Sequence, residues 1–278
     1  MFKAKLTNIL CYPIAILLLT GGLVGYVLAQ QPQSAKVEIG SRTAKDGFKN
    51  ETEIAAKFNG WRTDAEAKIW LAAMGYREND VLSVLASKPH GEKADIVVKV
   101  TTKAAVRSEG ISIKLVSSEN GFNQIDKRWL ATYAKMWKMP PEVVSGLKLF
   151  VGESKPPRVT RLSDRMFLDE LSAVDRRRIL EFFAANKDRI VSDLFEGDGN
   201  YRAGWIMVAQ KSAEKPRWVL RQIDYAIRYF SEGDVAITPR GNLKIGRITM
   251  QRKGGDGGRE TAKMLQFKIN PALLFDGK

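Results

Sequence analysis

The chain has 278 residues, is 44% hydrophobic and carries a net charge of +14, so it can bury a sizeable core and its surface favours polyanionic partners. One cysteine, Cys11, and one histidine, His90, exclude a disulfide framework, a thiolate or histidine-rich metal site, and serine or cysteine catalysis that does not pass through His90. A catalytic metal would have to be held by oxygens, which favours magnesium.

From the N-terminus, Ile9 to Leu28 is uncharged and, at about 20 residues, long enough to span a bilayer. Lys3 and Lys5 precede it and Val27-Leu28-Ala29 offers a small-residue cleavage context. Residues 1–29 are therefore read as a leader: a signal peptide, a membrane anchor, or the product of a start codon set too early. Residues 30–36 form a polar linker, and 37–278 form the globular domain. Without the leader the expected location is cytoplasmic; if retained, it tethers the protein to a membrane or exports it.

Ile54, Ala55, Phe58 and Trp61 predict an amphipathic helix over 43–60, with a second from Ala65 to Met74. Ile96 to Val100 and Ile111 to Val116 are β-branched runs read as paired strands, connected by Lys103 to Glu109. Trp129, Tyr133, Met136 and Trp137 mark a helix that stops before Pro140-Pro141. Helical spacing returns from Ser163 to Phe195. Strands are expected at Trp205 to Ala209, Trp218 to Leu220, Val235 to Ile237, Leu243 to Gln251 and Met264 to Ile269, with loops at 197–199 and 254–258. The expected class is α/β, a mixed central sheet flanked by helices.

Asp95 opens one strand and Lys114 lies in its neighbour, so the two can meet at one end of a hairpin. Ser112 and Lys114 share a face because strand side chains alternate. Phosphodiester hydrolysis needs an attacking hydroxide and charge neutralisation at phosphorus, which a carboxylate-held magnesium supplies. A lysine beside the metal orients or deprotonates the water, and the Ser112 hydroxyl offers the metal a neutral oxygen. Glu51, on the first helix, is a candidate additional ligand, weighed against an ordinary solvated carboxylate. An acid and a lysine some 20 residues apart is by itself a weak pattern.

Longer segments add to it. Gly40-Ser41-Arg42-Thr43-Ala44-Lys45-Asp46-Gly47-Phe48-Lys49-Asn50-Glu51 resembles the opening of the HinP-type restriction endonucleases, which cut DNA at GCGC. So do Lys114-Leu115-Val116-Ser117 with Gly121 to Lys127, Trp205 to Lys211, and Gln251 to Asp256 through Leu265 to Lys268. The resemblance spans about 37–276, and MspI-like enzymes, which cut CCGG, are more distant relatives. It implies a PD-(D/E)xK nuclease core using Mg²⁺, with the metal-site aspartate at Asp95 and the active-site lysine at Lys114. The family usually has glutamine or asparagine two residues before that lysine. Ser112 stands there instead, a shorter and poorer ligand, which implies reduced metal affinity or turnover.

For base reading, Arg252, Lys253 and Arg259 suit guanine O6 and N7, while Asp256 or Glu260 suits the amino group of cytosine. Gln251 belongs to the same segment, whose glycines let the backbone approach base edges; a plain surface hairpin is the alternative. The resemblance implies Phe122 as a wedge between base steps, with Asn123 and Gln124 beside it and Gln124 in base contact. Buried core is the competing reading of Phe122. Lys127, Arg128 and Arg240 are assigned to phosphates, with ordinary solvated charges an equally good account of any one of them. The glycine-rich run lacks the lysine and hydroxyl of a P-loop, so no nucleotide cofactor is expected.

The expected function is type II restriction of double-stranded DNA at a four-base GC-rich palindrome, GCGC, alongside a companion methyltransferase. Two alternatives stand beside it: a catalytically weakened site-specific DNA-binding protein, and an exported or membrane-tethered DNase of low specificity.

Overall fold

The computed structural model describes residues 33–276 except 198, 200, 201, 212–215 and 256–258, with side chains described from residue 45 onward. The leader, Cys11, the first part of the linker and Asp256 lie outside the described residues. Among the described residues, ten strands form two five-stranded sheets. The first contains β1 (Val81–Ser87), β2 (Ile96–Thr102), β3 (Val106–Val116), β5 (Trp205–Gln210) and β6 (Arg217–Gln222), in the order β1-β2-β3-β5-β6. It is mixed, because β3 and β5 run parallel and the other pairs are antiparallel. The second is antiparallel, in the order β4 (Asn123–Arg128), β10 (Leu265–Ile269), β9 (Ile248–Arg252), β8 (Leu243–Ile245) and β7 (Val235–Ile237).

Helix α1 (Gln33–Asn59) begins earlier than the 43 expected, so the linker residues from Gln33 to Lys36 are helical. Its Ile54 and Phe58 are fully buried, and with α2 (Ala65–Ala73) they cover one face of the first sheet through Ile96, Val98, Ile111, Ile113 and Met207. The opposite face contributes Val116, Ile206 and Val208 to a larger core. That core is completed by Phe267 and Met250 of the second sheet and by α3 (Leu130–Trp137), α4 (Pro141–Val151), α5 (Ala173–Ala185), α6 (Lys187–Glu196) and α7 (Ile223–Ser231). Tyr133, Trp137 and Phe267 pack ring against ring at its centre. Among the described residues no helix is long and apolar enough to cross a membrane.

The expected α/β class with a mixed sheet holds, and the differences have local causes. Leu243 to Gln251 is two strands because Gly246, at φ 56°, turns the chain where a Cβ would strike the backbone of Phe230 and Ser231. Val106 to Glu109, expected as connection, already belongs to β3, leaving residues 103–105 to turn the hairpin. Ser163 to Phe195 holds a short 3-10 helix at Leu168–Glu170 and two α-helices, separated at Asn186, that begin only at Ala173. Asn123 and Gln124, outside every expected strand, begin β4, a strand without apolar alternation. β1, α4 and α7 were not among the expected elements.

Gly110 lies in β3 where β5 enters: its carbonyl accepts from Gly204 N–H at 2.9 Å, and a Cβ there would collide with the carbonyl oxygen of Arg202. Gly110→Ala is expected to lower stability by about 1–3 kcal/mol. Gly47→Ala, on a helical position with nothing within 4 Å of the added carbon, should be neutral or stabilising. Thermal melts of the two variants check the contrast.

Candidate active site

The β2–β3 register pairs Ile96 with Ile111, and the Asp95 N–H continues the ladder by donating to Ile111 O at 2.9 Å. Ile111 and Ile113 point into the core beneath α1, so Ser112 and Lys114 point to the other face, where Asp95 also lies. Asp95 Oδ2 accepts from the Ile113 N–H at 2.5 Å and from the Ser112 hydroxyl at 3.3 Å. Lys114 Nζ donates to Ser112 Oγ at 3.1 Å and to Ile113 O at 3.0 Å, and lies 3.7 Å from Asp95 Oδ2. Ser112 is buried, while Asp95 keeps access to solvent.

An ammonium thus sits among three oxygens: a carboxylate, a hydroxyl and a backbone carbonyl. The same oxygens suit a small hard cation that keeps most of its ligands as water and phosphate. Among the described residues no group of three or more His, Cys, Asp or Glu could hold a metal.

Glu51 is not joined to the trio. Its carboxylate pairs with Lys88 at 2.7 Å, on a helix packed against the sheet face opposite to Ser112 and Lys114. The neighbouring Glu53 pairs with Lys211 at 2.5 Å.

Two residues missed in the sequence stand next to the trio. Lys93 is largely buried, donates to Ile125 O at 2.6 Å and lies 3.7 Å from Asp126. Burial pushes its ammonium down to about 8; Asp126 opposes the shift, Lys114 adds to it and Asp95 opposes it. Asp126 also accepts from Arg128 Nε at 3.1 Å and from the Tyr133 hydroxyl at 2.9 Å, and burial followed by Asp126 raises the Tyr133 phenol. Spacing alone carries no signal for Lys93. A β-bulge in β4 lets both Ile125 and Asp126 turn inward, and bulges leave little trace in sequence.

The candidate reading residues divide between the faces of the second sheet. Cross-strand pairing aligns Lys127, Gln266 and Gln251, and beside them Gln124, Lys268, Thr249 and Lys244. This is the face turned from the core, and Gln266, Lys268 and Lys244 are additions to the residues expected there. Lys253 extends the cationic group. Burial lowers its pKa, and Lys127 and then Arg259 lower it further, so three cations cluster.

Arg252 and Arg128, each paired in register with the core residue Leu265, lie on the other face. Arg252 pairs with Asp164 at 3.0 Å and Arg128 with Asp126. Glu260 pairs with Lys263 at 2.9 Å, and Arg240 is exposed in the β7–β8 turn, at the sheet edge remote from β4. Phe122 is 60% exposed, which removes the buried-core reading, and the Asn123 amide donates to Leu115 O at 2.9 Å. Replacing Asp126 with Ala would leave Lys93, Arg128 and Tyr133 without their common acceptor. The expected loss is about 3–5 kcal/mol, read by chemical denaturation.

With this geometry described, comparison with known proteins is direct. The model of the R.HinP1I restriction endonuclease family matches residues 74–275. The crystal structure of the restriction endonuclease MspI in complex with its cognate DNA superposes with a TM-score of 0.56 at 14% identity, over 79% of this chain and 87% of that one, a likeness of fold. No protein of curated function matches. The family match takes in both halves of the candidate site and more than two thirds of the chain, and the chain belongs to the R.HinP1I restriction endonuclease family.

Proposed function

We propose that this type II site-specific deoxyribonuclease is Mg²⁺-dependent and cuts double-stranded DNA at GCGC. The convergence of Asp95, Ser112 and Lys114 at the end of the β2–β3 hairpin carries the reading. Asp95 Oδ2 and the Ile113 carbonyl would hold the ion, with the Ser112 hydroxyl beside them. When bound, the ion acidifies water and offsets charge on the phosphate.

The chain's own groups supply the remainder. Lys114, whose ammonium donates to Ser112 Oγ, can hold the attacking water in line with phosphorus. Its positive charge also offsets charge that builds as the bond to the 3′ oxygen breaks. The cationic face of Lys127, Lys253, Lys268 and Lys244 supplies phosphate affinity, while Gln124, Gln251 and Arg259 stand where base edges would be read. The exposed Phe122, between the catalytic strand and β4, is shaped to wedge between base steps. The cell's own copies of the site would need protection, so a companion methyltransferase and a cytoplasmic location belong to the same proposal.

A plasmid with mapped GCGC sites should give discrete fragments with Mg²⁺ and none with EDTA. Asp95→Asn and Lys114→Ala should each lower the rate by about 10²–10⁴-fold while melting as a folded protein. A smear, or an intact plasmid, counts against the proposal. Ser112 motivates a second reading, a site-specific binder with weakened catalysis, because its short hydroxyl stands where relatives carry an amide. Ser112→Gln should raise turnover if the site is a working nuclease; selective, salt-sensitive binding with no gain in cutting would favour the binder.

A further inference from the structure

Gln266 is buried on the polar face of the second sheet and uses both ends of its amide. Its amino group donates to Gln124 Oε1 at 2.8 Å, and its carbonyl accepts from Gln251 Nε2 at 3.3 Å. Three amides from β9, β10 and β4 therefore form one directed chain, running from Gln251 through Gln266 to Gln124. An amide has a donor end and an acceptor end. Rotating Gln266 alone would set oxygen against oxygen and nitrogen against nitrogen, so the three must keep a common direction.

That direction decides what the outer members present. Gln124 is exposed and has its oxygen engaged, so its amino group is the end turned outward. Gln251 has one N–H engaged, which leaves its oxygen as an acceptor. We infer that Gln266 is a specificity-determining positioning residue, holding Gln124 as a donor toward a base-edge acceptor and Gln251 as an acceptor toward a base amino group. A G·C pair offers both, with acceptors on guanine and an amino group on each base. The inference rests on the DNA-cleaving reading above and adds a residue that need not touch DNA.

Gln266→Glu tests it with little change of shape. A carboxylate still accepts from Gln251 but cannot donate, so Gln124 must turn its amino group inward and present oxygen to the base. Gln266→Met removes both bonds and leaves the outer amides free to rotate. Full-length protein is titrated, without divalent cation, against duplexes containing GCGC and duplexes in which one base pair of that site is exchanged. In Gln266→Glu the ratio of affinities for GCGC over the exchanged duplexes should fall by about ten- to a hundred-fold, with a smaller fall in Gln266→Met. A merely structural role would lower the melting temperature and weaken every duplex alike, leaving the ratio at the wild-type value, and that result overturns the inference alone. Wild-type protein that binds every duplex equally overturns the site-reading proposal together with it.

Discussion

The register of β2 against β3 is the constraint on which the site depends. Ile96 opposite Ile111 sends Ile111 and Ile113 into the core under α1, and Ser112 and Lys114 to the far face beside Asp95. A slip of one residue would bury the lysine among Phe58 and Ile54 and expose the isoleucines, so the hydrophobic effect that holds the sheet also fixes the chemistry's geometry. The Asp95 carboxylate then closes the hairpin end on the Ile113 N–H, and one oxygen becomes both a structural acceptor and a candidate metal ligand.

The two halves of the candidate site are physically linked. Lys93, two residues before Asp95, reaches the β4 backbone at Ile125, and Asp126 collects Lys93, Arg128 and Tyr133 beneath the same strand. A buried charge cluster of this kind tolerates little displacement, because each ion depends on the others for its solvation. β4 also begins where the Asn123 amide donates to Leu115 O, just beyond Lys114. Hydrogen bonds from Lys93 and Asn123 thus tie β4, and with it the polar sheet face, to the strands that carry Asp95, Ser112 and Lys114.

On the second sheet, alternation does the sorting. Gln251 and Lys253 face away from the core while Arg252 between them turns toward Asp164, so a run of polar residues that looks uniform in sequence is divided between two surfaces. The bulge in β4 has the comparable effect of placing Gln124 and Lys127 on one face despite their odd spacing.

The amino-acid order by itself determined the α/β class, the β2–β3 hairpin and the sharing of a face by Ser112 and Lys114, because these follow from local periodicity and strand geometry. Motif likeness pointed to the restriction endonuclease family through long contiguous segments. Only the tertiary structure decided that the strands divide into two sheets and that Glu51 faces Lys88. It also decided that Arg252 pairs with Asp164, that Lys93 meets Asp126, and that Gln266 joins Gln124 to Gln251. Each of those turns on a partner 15 to 142 residues away, with the most distant being Gln124 and Gln266. Contacts of that kind depend on which surfaces meet when the chain collapses, and neither spacing nor composition along the chain encodes them in readable form.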